Sequence, residues 1–327
     1  VLLKIFICLF GSLLIIRTLT VWIGIYIRFG SFLAAFTEGD MIYNMSRSGE
    51  WAPGIGFYIP VDFISMFFLG IYHKVRQKTN NLIIIVFLSN ILLQLALQNR
   101  FALIISLSIY FGAYMAANGA KLNIKLFSII KYLFISIVFL FGISLSRNLS
   151  ESNKIDGEFG EYGLTVLPSL YYYLTNGIAG LNEYIKIGLD ENEYLYTFNP
   201  LLYYYSLLDN SIKISIYETT TYYTPLPTII ATWIRFLIDD FGYYGTSIVL
   251  YLYGVLLRFT EYILSKKLLV FWASIYSHIF LLFVYSFFGY GFFIAGFWYS
   301  LIITSLVGLI IDSSVGSILF NTYIKKK

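Results

Sequence analysis

Thiols, imidazoles and charges are all scarce in this chain. Cys8 is the only cysteine in 327 residues, so no disulfide can form within it. The two histidines, His73 and His278, stand alone, with no cysteine or acidic cluster at metal-ligand spacing around either. That argues against a zinc site. Charged residues make up 12% of the chain, about half the share usual in water-soluble domains. Two glycine motifs also lack their contexts. "GEFGEYG" at Gly157–Gly163 has no strand before it and no GK[ST] after it, which argues against a nucleotide-phosphate loop. "DFG" at Asp240–Gly242 stands without the rest of the protein-kinase set. No internal repeat links the two halves, which counts against a transporter built from repeats.

Hydrocarbon is what the chain has instead. It is 58% hydrophobic, and its mean hydropathy is +0.75. Runs approaching the roughly 20 apolar residues that span a bilayer recur along it. The expected fold is all-α: one polytopic membrane-embedded helical bundle over 1–327, with about nine transmembrane helices. The candidate spans are 1–16, 18–36, 53–72, 82–98, 101–119, 126–145, 242–260, 268–288 and 292–312. Arg17 marks either a turn between the first two spans or a point within one tilted helix. Arg28 fits neither well, since it lies deep in the second span. The chain opens on Val1, which reads as a truncated N-terminus or a start codon other than ATG; the first helix is expected to serve as the insertion signal.

Charge distribution gives an orientation. Lys74, Arg76 and Lys78, then Lys121 and Lys125, then Arg258, Lys266 and Lys267, and finally the tail Lys325–Lys327 all fall on one side of these spans. Basic loops face the cytoplasm, so the C-terminus is expected there. The acids fall opposite: residues 146–240 hold twelve of the eighteen Asp and Glu residues, and Glu38, Asp40 and Glu50 add three more. Segment 146–240 is too long for a connector and is expected to be functional. Its start is polar. Further on, "LTVLPSLYYYLTNGIAGLNEYIKIGL" and "YLYTFNPLLYYYSLL" are apolar and tyrosine-rich but interrupted by Pro, Asn and Gly, which reads as amphipathic or re-entrant helices.

Several side chains on that outer side invite chemistry. Arg100, in the tight turn "LQNRFALI", is either an interfacial anchor or a bidentate diphosphate clamp. Arg147, where a span meets the long loop, is a snorkelling flank or an anion ligand. Arg235 and Asp239 are spaced to pair on one helix face. Asp240, ahead of "FGYYG", either caps the helix starting near 242 or joins Asp239 as a candidate general base. A carboxylate beside lipid and a second carboxylate is expected to titrate high. Tyr171–Tyr173 and Tyr203–Tyr205 form an aromatic belt or a stacking platform for sugar rings. His278, mid-span, is expected to be a neutral histidine hydrogen-bonded to a neighbouring helix.

The order of short-looped helices, "NRFALI" at a turn, a long outer loop containing "YYYLTNGIAGLNEYI", and "PLPTIIATWIRFLIDDFGYYGTSIVLYLYG" resembles the bacterial oligosaccharide repeat-unit polymerases, the Wzy-type O-antigen and capsule polymerase family. The resemblance covers roughly residues 37 to 312 and rests on short, degenerate motifs: Arg100, Tyr171–Tyr184, Pro227-Thr228, and Asp240-Phe241-Gly242 with Gly245. Leu181 departs from it, standing where an aromatic is common.

What the resemblance implies is a metal-independent glycosyltransferase of the bacterial cytoplasmic membrane, with no cofactor. It would transfer a growing glycan from undecaprenyl diphosphate onto a sugar hydroxyl of the next lipid-linked unit on the outer face. Its partners would be the undecaprenyl-diphosphate-linked oligosaccharide, the bilayer, and a chain-length regulator and flippase of the same pathway, with no nucleic acid. On that reading Asp240 and Asp239 are the catalytic candidates. Arg100, Arg147, Arg235, Tyr172, Asn176, Glu183 and Thr228 are the diphosphate- and substrate-binding ones. Two rivals remain. An O-antigen ligase shares the layout, but a histidine in the outer loop would favour it and none lies there. A lipid-linked oligosaccharide flippase would carry charged residues deep in several helices and two related halves.

Overall fold

The computed structural model describes residues 2–48, 50–51, 60–77, 80–120, 177–186, 197, 222–223, 227–228, 232–285 and 295–313. The fold is all-α. Its helices are α1 (Leu2–Phe29), α2 (Ala34–Thr37), α3 (Gly39–Ser48), α4 (Val61–Arg76), α5 (Asn81–Ala96), α6 (Arg100–Ala117), α7 (177–186), α8 (Trp233–Lys266), α9 (Val270–Tyr285) and α10 (Ala295–Asp312). The extended pairing among the described residues is one short antiparallel ladder. In it β1 (Tyr222–Tyr223) meets β2 (Pro227–Thr228), with Tyr222 opposite Thr228.

Local chemistry sets the helix ends. Asn80 and Asn99 cap α5 and α6, their side chains accepting the backbone N–H of Ile83 and of Ala102, each at 3.0 Å. Gln77 closes α4 in the left-handed conformation, its N–H returning to the His73 carbonyl at 3.0 Å. The last residue of α10 caps the first turn of α9. There the Asp312 carboxylate accepts the N–H groups of Val270 and Phe271 at 3.0 and 2.9 Å, a favourable place for negative charge.

Cross-helix contacts give the directions. Thr18 donates to the Ser89 carbonyl at 3.0 Å and Trp22 to that of Leu92 at 3.2 Å, so α1 and α5 run parallel. Ser65 donates to the Phe10 carbonyl at 2.9 Å while Phe68 stacks on Phe6, so α4 runs against α1. The pairs Ser274–Thr304 and His278–Ser300 make α9 and α10 antiparallel. Glycines bring backbones together. A Cβ on Gly70 would lie 2.3 Å from the Tyr110 carbonyl oxygen of α6, and one on Gly112 would lie 2.8 Å from Ser277 Cα of α9. One end of the bundle therefore gathers Lys4, Lys74, Arg76, Lys266 and Lys267, since Gly119 after α6 sits against Leu264 and Ser265 near the end of α8. Arg28, Glu38, the Asn99–Arg100 turn and the start of α8 lie toward the other.

Two changes to the expected spans follow. Of the two readings of Arg17, the one with a single helix across it holds, so the candidate spans 1–16 and 18–36 merge. One 28-residue helix passes straight through Arg17 and ends with Arg28 in its last turn. Arg28 is thereby terminal rather than deep. The expected 53–72 span begins at Val61, just after Pro60, and runs to Arg76. The span 126–145 lies outside the described residues.

Among the described residues two helices, Leu2–Phe29 and Ile234–Lys266, are long and apolar enough to cross a membrane. Neither is a buried core helix: 28% and 11% of their most apolar windows are buried. Ile5, Leu9, Ile16, Leu19 and Ile23 line the outside of α1. Ile248, Tyr251, Leu252, Val255, Phe259 and Tyr262 do the same on α8, and Leu306, Leu309 and Ile310 on α10. The opposite face of α1, with Leu3, Ile7, Leu14, Val21 and Ile25, packs into the core.

Candidate functional site

The charged stretch before the long apolar part of α8 is a helix of its own. Residues 233–241 are helical, Gly242 has φ 66° and ψ 179°, and the helix resumes at 243. That backbone conformation is essentially restricted to glycine. A Cβ there would meet nothing within 4 Å, so conformation rather than close approach explains this glycine. Gly245 differs: its Cβ would fall 2.7 Å from that of Phe241, so its smallness makes room for the Phe241 Cβ one turn back.

Helix α7 lies along this first segment. The N–H of Thr232 donates to the Gly177 carbonyl at 3.2 Å, and Tyr184 and Ile238 bury each other with Leu181 and Ile234 alongside. Arg235 and Asp239 project into that interface. Arg235 Nε lies 3.5 Å from Asp239 Oδ2, and the two side chains are 7% and 1% exposed. The Tyr184 hydroxyl donates to Asp239 Oδ1. The Arg235 guanidinium carbon sits 5.2 Å from the centre of the Tyr184 ring and 5.4 Å from that of Phe236. A buried ion pair is worth keeping only when further bonds compensate its lost hydration. Here a phenolic donor and two aromatic faces supply that compensation.

The neighbouring carboxylate is held from elsewhere. Asp240 Oδ2 accepts the backbone N–H of Thr197 at 2.7 Å and also the Thr197 hydroxyl. Thr197 is itself buried. Two separate parts of the long loop, α7 and residue 197, thus converge on adjacent aspartates at the foot of an apolar helix. Chemically the arrangement offers a fixed cation, two oriented carboxylates and an aromatic face. Among the described residues no three His, Cys, Asp or Glu side chains converge as metal ligands would.

The sequence-derived candidates fare unequally. Arg235, Asp239 and Asp240 share this site. Glu183 is one residue from Tyr184 but pairs with Lys186 at 2.6 Å on the outer flank of α7. Arg100 is the first residue of α6, directly after its cap; its side chain lies outside the described residues. Thr228 is ladder-paired with Tyr222, and its side chain too is outside them. Arg147, Tyr172 and Asn176 lie outside the described residues altogether. Tyr184 and Thr197 were missed. Tyr184 stood at the end of a quoted tyrosine-rich stretch, where its phenol was indistinguishable from its neighbours; nothing in "YLYTFNP" singled out Thr197.

A second polar cluster also escaped the sequence reading. Arg17 of α1 pairs with buried Asp62 of α4 at 3.6 Å. Gln94 of α5 donates to Asp62 at 2.9 Å and to Asn90 at 3.5 Å, and Asn90 donates to Ser106 of α6 at 2.8 Å. His278 of α9 meets Ser300 of α10 at 2.8 Å, a neighbouring-helix partner as expected.

No family model, no curated protein and no solved structure matches the chain.

Proposed function

We propose that this chain is a multi-pass membrane glycosyltransferase that polymerises undecaprenyl-diphosphate-linked oligosaccharide repeat units on the outer face of a bacterial cytoplasmic membrane. The observation that carries the reading is the buried Arg235–Asp239–Tyr184 assembly, seated where the long acidic loop turns into an apolar helix. A lipid diphosphate joins an anionic group to a hydrocarbon tail, which suits a charged assembly beside an apolar helix. Apolar faces exposed at helical spacing on α1, α8 and α10 support a lipid surround, since soluble proteins rarely expose contiguous apolar patches of that extent. Merging the first two spans into α1 leaves eight of the nine candidate spans. It also puts Lys4 at the end that carries Lys74, Arg76 and Lys266, which supports a cytoplasmic assignment for that end and for the C-terminus.

In the proposed step an acceptor sugar hydroxyl attacks the anomeric carbon of the donor glycan. A new C–O bond forms, the bond to the diphosphate oxygen breaks, and the diphosphate leaves with that electron pair. The hydroxyl proton passes to Asp239 or Asp240, and Arg235 stabilises the charge gathering on the leaving diphosphate. Arg100 and Arg147 are further candidates for the same anion. Tyr172, Asn176, Glu183 and Thr228 are candidates for the glycan, and a chain-length regulator and flippase are the expected pathway partners. Deleting the protein and resolving surface polysaccharide on a gel tests the reading: long ladders collapse to single repeat units, whereas unchanged ladders remove it.

One observation favours a second reading. Arg17 and Asp62 place opposite charges within the helix bundle, as a transporter of lipid-linked oligosaccharide would. Loss of a transporter would trap single units on the inner leaflet instead of displaying them outside.

A further inference from the structure

Tyr184 is none of the groups that the transfer itself requires, yet it touches two of them. Its hydroxyl donates to Asp239 Oδ1 and its ring faces the Arg235 guanidinium at 5.2 Å. It comes from 55 residues before Asp239 in the chain and is only 4% exposed. Its seat is firm, because Ile238, Leu181 and Ile234 pack around it and the Thr232–Gly177 bond ties the other end of α7 to the start of α8.

Neither group's plane is fixed by its own torsions. The terminal torsion of an aspartate is broad, so its carboxylate plane is set by whatever bonds it. A guanidinium is a flat fork whose match to an anion depends on the orientation of its plane, which a stacked ring can set. A displacement of about 1 Å in such groups can cost about a hundredfold in rate.

We propose that Tyr184 is a positioning residue of the transfer site, orienting the Asp239 carboxylate through its hydroxyl and the plane of Arg235 through its ring. The inference rests on the polymerase reading above. It gives the loop helix α7 a task distinct from glycan stacking: α7 carries the part that aligns base and cation.

The two contacts are chemically separable. Tyr184→Phe removes the hydroxyl and keeps the ring; Tyr184→Leu removes both. The test uses the full-length protein in lipid vesicles with a synthetic undecaprenyl-diphosphate-linked repeat unit, measuring kcat and the KM for that lipid. Tyr184→Phe should lower kcat about tenfold, the scale of one oriented hydrogen bond to a charged group, with KM within about twofold of wild type. Tyr184→Leu should add a rise in KM of about tenfold as Arg235 loses its stacking face. A residue that only supports the fold would lower apparent kcat in proportion to the folded fraction and leave kcat per folded molecule at the wild-type value, and that pattern overturns the inference. If Tyr184→Leu fails to fold, the Tyr184→Phe arm decides. Wild-type polymer with wild-type kcat in Tyr184→Phe overturns the positioning role alone. A wild-type protein that makes no polymer overturns the polymerase reading and this inference with it.

Discussion

Arg235 and Asp239 lie one helical turn apart with Nε and Oδ2 separated by 3.5 Å, and both are nearly sealed from solvent beneath Tyr184. An exposed pair at this spacing contributes little. A sealed one makes each partner depend on the other, because removing either leaves a charge without compensation. Such a break costs about 3–5 kcal/mol. Arg235→Ala should therefore lower the melting temperature of the detergent-purified protein, and adding Asp239→Asn should recover part of it. Arg235→Lys keeps the charge but loses the delocalised guanidinium that sits over the Tyr184 and Phe236 rings. That variant is expected to fold and to give no long polymer on a polysaccharide gel. Ladders of normal length from Arg235→Lys would remove the guanidinium from the site.

The two aspartates are separable by substitution. Asparagine at 240 can still accept the N–H and hydroxyl of Thr197, and asparagine at 239 can still accept from Tyr184. Asp240→Asn should therefore accumulate as folded protein, whereas Asp239→Asn leaves the buried Arg235 charge uncompensated and should melt lower, so its rate is measured per folded molecule. Whichever carboxylate takes the acceptor proton should show a rate loss of about a hundredfold or more on conversion to the amide, the usual contribution of a general base. Wild-type polymer from both Asp239→Asn and Asp240→Asn eliminates carboxylate catalysis at this position.

The spacing of Arg235 and Asp239 made their pairing legible in the sequence, because i and i+4 always share a helix face. Their partners were not legible. Tyr184 is 55 residues from Asp239 and Thr197 is 43 from Asp240, and no periodicity relates positions across an irregular loop. The helix ends at Asn80, Asn99 and Pro60 follow from cap and proline chemistry that acts within a turn. Arg17 was misleading for the opposite reason. A lone arginine in an apolar run reads as an interruption, and only the fold brings Asp62 of a different helix to compensate it. Gly242 was visible as a glycine, but its reason was not: it marks a backbone break, which only the dihedral angles reveal.

Gly242→Ala tests that break directly. At φ 66° and ψ 179° an added Cβ finds open space but a strained backbone, at a cost of about 1–3 kcal/mol. Gly254 lies in the regular part of the same helix, and a Cβ there also meets nothing within 4 Å. Gly254→Ala should leave stability unchanged or raise it by up to about 1 kcal/mol. Thermal melts of the two variants should diverge in sign. A Gly242→Ala protein as stable as Gly254→Ala would mean that the backbone at 242 relaxes into an ordinary helix without penalty.

The Arg17–Asp62 pair separates the two functional readings. Asp62 is buried and also receives Gln94, so Asp62→Leu alone strands Arg17 among apolar helices and should destabilise the protein strongly. The double variant Arg17→Met with Asp62→Asn removes both charges and keeps an acceptor for Gln94, so neither a stranded charge nor an unpaired amide is left behind. Under the polymerase reading the pair only fastens α1 to α4. The double variant should then melt near the wild-type temperature and still build long ladders in cells. A transporter would need those charges for passage. A stable double variant that leaves single lipid-linked units on the inner leaflet, with none displayed outside, would transfer the case to the transporter reading, because lost stability could no longer account for the defect.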